Sequence, residues 1–336
     1  MNSRNNQSRN IWVKRIILWV GYAILFTSVG FLLLRIWEIR KSLSFESLGP
    51  NTLLLIALCG VSFAISQFLL STAWRLLLMW WGVMDLKLSL CHSIYGRTQI
   101  AKYLPGNVFH FAGRQVIGKY CAGSQAAIAG ASLYEILGLL ITSGFMALAG
   151  MAYYHFPQSA ISSETLFAMV SIAVLMIIVI SLCTQRLAII KGIYPSGHKE
   201  SSVFKQLVPA YSCYAMFFVL YSGHMALLVD SISGIDFVSN FGRLLTVVSI
   251  AWLAGYITPG APGGLGVREA LLVLGLSPIM GESDAILAAF ALRLVTVLGD
   301  LFFFLVALKI PLPVVPGSEH GADDYKQPDS STAIQR

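Results

Sequence analysis

The sequence predicts an all-α polytopic membrane protein with about seven to eight transmembrane helices, further re-entrant or broken helices, and an internal repeat. Of its 336 residues, 56% are hydrophobic and only 12% are charged, whereas a typical soluble domain is about 25% charged. The mean hydropathy is +0.73. Long apolar runs, two of them next to proline and glycine clusters, point the same way. This composition excludes an ordinary soluble globular protein.

Seven apolar runs are long enough to cross a bilayer, which takes about 20 residues. Six of them carry no Asp, Glu, Lys or Arg, and the last contains Arg293 and Asp300. The runs are 16–34, 47–74, 136–163, 165–185, 206–229, 244–267 and 285–308. We read the first run as a retained helix rather than a cleaved signal peptide, because charge and further spans follow it.

These runs define a simple domain organisation. We expect a cytoplasmic N-terminal tail at 1–10, a single membrane domain at 11–312, and a disordered polar tail at 313–336. The net charge is +7, but the basic residues stand mostly at the ends of apolar runs. That placement is typical of membrane topology signals and not of nucleic-acid binding, and it predicts an N-terminus in the cytoplasm.

No cofactor or metal site is predicted. The five cysteines are scattered and lack the spacing of metal ligands. His110 and His224 stand alone, so hydrogen-bonded histidines are the simpler interpretation.

Two Pro-Gly breaks give the sequence its internal repeat. Residues 103–114 read YLPGNVFHFAGR and residues 256–268 read YITPGAPGGLGVR. In both, an arginine lies nine residues after the proline, and an Ala-rich helix follows. We therefore predict repeat units around 97–152 and 250–310, in an inverted or a parallel arrangement. The alternative is that any two Pro-Gly breaks in apolar sequence look alike.

The breaks predict a site for an anion such as a phosphate group. Pro and Gly interrupt a helix, and irregular backbone inside a membrane must be buried in protein or line a wet cavity. The helix that restarts after each break has free N–H groups and a positive dipole end, and an arginine lies beside it. The candidate residues are Arg114, Arg268, Pro105, Gly106, Pro259, Gly260, Gly263, Gly264 and Gly266.

Further charged residues within or next to the apolar segments predict an intramembrane charge network, because such charges are costly unless they are functional or paired. Its candidates are Arg75, Glu135, Glu269, Arg293 and Asp300. Glu135 needs a cation, which Arg114, Arg268 or Arg293 could supply. Arg293 and Asp300 lie two turns apart and are expected to meet other partners. The alternatives are ion pairs that only fix helix packing, and an Arg75 that marks a helix end.

Several of these segments resemble one known family. AWRLLL (73–78), KYLPGNVFHFAGR (102–114), ASLYEILGLL (131–140), PGAPGGLGVREALL (259–272) and AFALRLVTVLGDL (289–301) look like the lysylphosphatidylglycerol synthase transmembrane region, also called flippase-like integral membrane proteins. The resemblance implies a bacterial inner-membrane protein that handles a lipid. The best-known members also carry a soluble aminoacyl-transferase domain, which this sequence lacks, so aminoacyl transfer is not predicted.

The residues and the resemblance together predict a flippase or transporter for an anionic lipid of the bacterial inner membrane. Its partner would be an anionic phospholipid or a polyprenyl-phosphate-linked lipid, and a homo-oligomer stays open. The first alternative is a membrane-embedded transferase that acts on a lipid or polyprenyl phosphate, with Glu135, Glu269 or Asp300 as general base. The second is an envelope scaffold that transports nothing.

Overall fold

The computed structural model describes residues 49–104, 108–122, 124–155, 203–258 and 261–312. Within these ranges the chain is helical and contains no β-strand. Several predicted features lie outside the described residues. They are the runs 16–34 and 165–185, the tails 1–10 and 313–336, and Pro105, Gly106, Pro259 and Gly260 of the two breaks.

Eight α-helices and two short 3₁₀ turns make up the described chain. In chain order they are α1 (Pro50–Trp80), α2 (Leu88–Gln99), the first 3₁₀ turn (Ile100–Tyr103), α3 (Phe109–Ala122), α4 (Gln125–His155), α5 (Val203–Ser233), α6 (Phe237–Ile257), the second 3₁₀ turn (Pro262–Gly264), α7 (Val267–Met280) and α8 (Glu282–Lys309). Five of these helices, α1, α4, α5, α6 and α8, are long and apolar enough to cross a membrane. The protein is therefore membrane-embedded, with five candidate spans in its described part.

One predicted boundary needs correction. The run 136–163 was bounded by Glu135, but α4 begins at Gln125 and carries Glu135 in its interior. The charge does not end the helix because it is paired within the protein. Within the run 244–267, the interruption predicted from its Pro and Gly residues is confirmed, because α6 ends at Ile257, where the Pro-Gly break begins.

The most extensive packing of the long helices is between helices that are not neighbours in sequence. Helix α8 packs on α1, and α4 packs on α6. Both crossings are made by glycines: a methyl group on Gly299 would lie 2.8 Å from the carbonyl oxygen of Gly60, and one on Gly150 would lie 2.5 Å from that of Gly242. Only residues without a side chain allow two helix backbones to approach this closely, as is common in membranes.

The short helices position the two breaks. Helices α3 and α7 are 14 residues each, and each is followed almost at once by a long span, α4 or α8. The two 3₁₀ turns that precede them contact each other, with the ring of Tyr103 lying against Gly263. Both interruptions are thus brought to one place among the spans.

Candidate functional site

A small cavity lies where the two breaks meet. Its volume is about 50 Å³, which is room for a few water molecules. Every described helix and both 3₁₀ turns contribute to its wall, so the cavity is central to the bundle. Its charged lining residues are Lys102, Glu135, Arg268 and Arg293, and aromatic rings such as Tyr95, Tyr103, Tyr221 and Trp252 form much of the rest.

Asp300 on α8 is bonded to the first break. Its carboxylate is 2% exposed and accepts hydrogen bonds from the Tyr103 hydroxyl and from Nε2 of Gln67 on α1, each at 2.5 Å. The Nζ of Lys102 lies 2.6 Å from Oδ2. As expected, Asp300 meets partners other than Arg293. A buried carboxylate with three donors is well compensated, and this one ties α8 to α1 and to the first 3₁₀ turn.

Arg114 supplies the cation that Glu135 requires. Arg114 is fully buried and Glu135 is 2% exposed. Nη1 of Arg114 forms an ion pair with Glu135 Oε2, and its Nη2 donates to Gln99 Oε1 at 3.1 Å. The Tyr95 hydroxyl donates to the other oxygen of Glu135 at 2.7 Å. Both Nη atoms of Arg114 are therefore occupied by protein groups, and Arg114 does not line the cavity.

Arg268 is held between glycines of the second break and of α6. A methyl group on Gly255 would lie 2.4 Å from Cγ of Arg268, and one on Gly264 would lie 2.6 Å from its Nε. Gly264 has a φ of 76°, which side-chain-bearing residues rarely adopt. The guanidinium lies 5.3 Å from the centre of the Trp252 ring. These contacts restrict the conformations of the Arg268 side chain and hold it at the cavity wall.

Arg268 has no carboxylate partner within 4 Å among the described residues. Its Nε is buried and makes no hydrogen bond. An unpaired charge of this kind is costly inside a protein. Arg268 is thus a cavity-lining cation without a carboxylate at ion-pair distance in the part of the chain that the structure describes.

Arg293 reaches the same place from α8. Its Nη1 donates to the carbonyl oxygen of Gly263 at 3.1 Å, and its Nε lies 3.7 Å from Glu269 Oε1. The side chain is only 10% exposed, and its Nε and Nη2 atoms are buried and form no hydrogen bond. The ion pair with Glu269 is therefore long, and these two nitrogen atoms can still donate hydrogen bonds.

The start of α7 is less open than the sequence predicted. Glu269 accepts a hydrogen bond from the backbone N–H of Gly266 at 2.6 Å, so the chain's own carboxylate caps one of the expected free donors. Gly263 and Gly264 are buried beside the arginines, whereas Gly266 is exposed. The anion-binding capacity of this end therefore rests on the two arginines more than on the helix N-terminus.

Arg75 does not join the predicted charge network. Its Nε donates to the carbonyl oxygen of Leu86 at 2.9 Å, which ties the end of α1 to the loop before α2. This matches the alternative reading of Arg75 as a helix-end residue. Lys102, Gln67 and Tyr103 were not predicted as site residues, yet they surround Asp300. The signal was present, since Lys102 lies three residues before Pro105 and Gln67 interrupts an apolar run.

Comparisons of the chain with profiles of known protein families, with curated proteins and with solved structures find no match. The resemblance to the lysylphosphatidylglycerol synthase transmembrane region therefore stays a prediction. A function for this chain has to be argued from the cavity and the charges around it.

Proposed function

We propose that the protein is a lipid flippase or transporter that moves an anionic lipid across the bacterial inner membrane. The observation that carries the proposal is a buried cavity among five candidate spans, lined by a cation, Arg268, with no carboxylate within 4 Å among the described residues. An anionic headgroup would complete this charge, since arginine binds phosphate groups through charge-assisted hydrogen bonds. The family resemblance agrees with this reading.

We further propose that the two units around 97–152 and 250–310 are structural repeats that move against each other. In support, each unit has a short helix and then a long one, and the long helix of each packs on a helix before the other unit's break. Transporters built from repeats place their substrate sites where broken helices meet. The loose pair between Arg293 and Glu269 would open when an anion takes the place of the carboxylate.

A transferase is less well supported by the same geometry. A general base needs a carboxylate that can accept a proton from substrate. Glu135 is engaged by Arg114 and Tyr95, and Asp300 by three donors. The third candidate, Glu269, accepts from the backbone N–H of Gly266 and lies beside Arg293. Because all three carboxylates are engaged by protein groups, we do not propose an enzymatic reaction.

The transport proposal predicts that Arg268→Ala slows lipid translocation strongly and leaves the fold intact. The purified protein would be reconstituted in vesicles with a fluorescent anionic phospholipid, and translocation would be followed by quenching the label in the outer leaflet. We expect the rate to fall about ten-fold or more, since a hydrogen bond to a charged group contributes about 1.5–3 kcal/mol. The variant should still fold, because no ion pair is lost, and a cooperative thermal unfolding transition would show this.

Arg243→Ala is the matched control for this experiment. Arg243 lies on α6, outside the cavity, and contacts Tyr154 at the bundle surface. Its loss should leave translocation at the wild-type rate. Wild-type translocation in Arg268→Ala, or no translocation of any anionic lipid by the unmodified protein, contradicts the proposal.

The glycine beside Arg268 gives a second prediction. Gly255→Ala keeps the arginine but places a methyl group 2.4 Å from its Cγ, so the guanidinium must leave its position. We expect translocation in the same vesicle assay to fall several-fold with the arginine still present. Gly223→Ala on α5 is the control, because a methyl group there meets nothing within 4 Å. Equal rates for the two variants would show that the position of Arg268 does not matter.

A further inference from the structure

The unpaired donors at the cavity belong to two arginines on different helices. Nε of Arg268 on α7 and Nε and Nη2 of Arg293 on α8 are all buried without a hydrogen bond. A methyl group on Gly263 would lie 3.3 Å from Nη2 of Arg293, and one on the adjacent Gly264 would lie 2.6 Å from Nε of Arg268. The two guanidinium groups therefore flank consecutive glycines, with no side chain between them.

The charged side chains that line or adjoin the cavity, counted among the described residues, sum to one net positive charge. Arg114 with Glu135 forms one neutral pair, and Lys102 with Asp300 forms another. Burial lowers the pKa of Lys102 and Asp300 opposes that shift, but the pair is neutral whichever partner holds the proton. Arg268 and Arg293 remain, with a single carboxylate, Glu269, which lies at ion-pair distance from Arg293.

His110 adds nothing to this charge. It lines the cavity and is 4% exposed. Burial, together with the nearby charges of Arg114 and Lys102, holds its pKa well below the ordinary value, so the ring is neutral at pH 7. Counted over the described residues, the cavity therefore carries a single net positive charge.

From these two observations we infer that Arg268 and Arg293 form a binding subsite for a phosphodiester, which carries one negative charge, and that they discriminate against phosphate monoesters and pyrophosphates. The inference rests on the proposed function for the source of the ligand, a lipid headgroup. A phosphodiester brings the net charge of the site to zero. A doubly charged group leaves an excess negative charge in a buried position, which costs free energy.

The donor arrangement also suits a phosphodiester. The free donors here come from two guanidinium groups carried by two helices. The two non-bridging oxygens of a tetrahedral phosphate point in different directions, so one can be assigned to each arginine while the two ester arms lead away.

The test compares ligands of different charge on the purified full-length protein in mild detergent at pH 8. The probes are dioctanoyl phosphatidylglycerol, a phosphodiester with one negative charge; dioctanoyl phosphatidic acid, a monoester; farnesyl pyrophosphate; and zwitterionic dioctanoyl phosphatidylcholine. At this pH the monoester is mostly doubly charged, because its second pKa is about 6. Dissociation constants are measured by calorimetric titration. We expect phosphatidylglycerol to bind at least ten-fold more tightly than phosphatidic acid and farnesyl pyrophosphate. Phosphatidylcholine, whose phosphate is also a singly charged diester, should bind more tightly than these two as well.

Glu269→Gln provides the sharpest variant. It raises the net charge of the site by one and keeps an oxygen that can cap Gly266, since Gln serves this position as well as Glu. We expect the preference for phosphatidylglycerol over phosphatidic acid to shrink several-fold or reverse. Arg293→Ala should lower the affinity for phosphatidylglycerol at least ten-fold, and Arg293→Lys should recover part of it.

The outcomes separate this inference from the transport proposal. Equal or tighter binding of farnesyl pyrophosphate or phosphatidic acid overturns the inference, as does an unchanged preference in Glu269→Gln. Translocation without any charge preference leaves the transport proposal standing and removes the subsite. Selective binding without translocation does the reverse. Diethyl phosphate, a phosphodiester without acyl chains, tests the source: if it binds as tightly as the lipid, the subsite stands and a lipid cargo does not.

Discussion

Replacing Glu135 by leucine should destabilise the protein by about 3–5 kcal/mol, which is the usual cost of leaving one partner of a buried ion pair alone. Arg114 stays charged under all ordinary conditions, and it is fully buried. Tyr95 would also lose the oxygen to which its hydroxyl donates. Because a domain is stable by only about 5–15 kcal/mol, we expect little folded protein from this variant.

The double variant Glu135→Leu with Arg114→Met separates the burial of an unpaired charge from the loss of a favourable contact. It removes both charges and keeps side chains of similar size, and such replacements are often neutral or stabilising. Thermal unfolding of the detergent-solubilised proteins, followed by tryptophan fluorescence, should give a clearly higher midpoint for the double variant than for Glu135→Leu. If the single variant unfolds at the wild-type temperature, the pair contributes nothing to stability.

Gly150→Ala should have the next largest effect, on the order of 1–3 kcal/mol, the usual cost of overpacking a closely packed core. The added methyl group would lie 2.5 Å from the carbonyl oxygen of Gly242 and 2.9 Å from the backbone nitrogen of Thr246. Backbone atoms cannot rotate aside as a side chain can, so α4 and α6 must separate. The hydrogen bond from Thr246 Oγ1 to the carbonyl of Ala147, at 3.2 Å, should weaken with them.

Gly144→Ala is the control for this prediction. It lies on the same helix, and a methyl group there meets nothing within 4 Å. Alanine is also the better helix former by about 1 kcal/mol. Unfolding midpoints of the two variants should therefore differ clearly, with Gly144→Ala at or above the wild type. Equal midpoints would mean that the crossing of α4 and α6 tolerates a wider separation.

The general architecture could be read from the sequence because hydrophobic length and helix breakers act locally. All five apolar runs that fall on described residues contain or overlap a long helix, and the interruption after Ile257 follows from the Pro and Gly residues. The boundary at Glu135 failed because a charge was assumed to end a span. Whether a charge can lie inside depends on a partner that another helix brings.

The pairings in the site were beyond the sequence for the same reason. Three arginines were candidates for Glu135, and only the packing of α3 on α4 selects Arg114. Asp300 was recognised, but its partners Gln67 and Lys102 are 233 and 198 residues away in the chain. The matched spacing from proline to arginine suggested equal roles for Arg114 and Arg268. The structure pairs the first with a carboxylate and leaves the second without one.

The crossed packing of α1 and α8 has a consequence for biosynthesis. Gln67 leaves the ribosome 233 residues before the carboxylate of Asp300 to which it donates, and at about 5–20 residues per second this interval is roughly 10–50 s. Throughout it, the partner surface of α1 at Gly60 has no α8 to cover it. Helix α1 therefore stays in the membrane without this partner until α8 has been synthesised and inserted. Only then can α8 pack on α1 and Asp300 accept the hydrogen bond from Gln67.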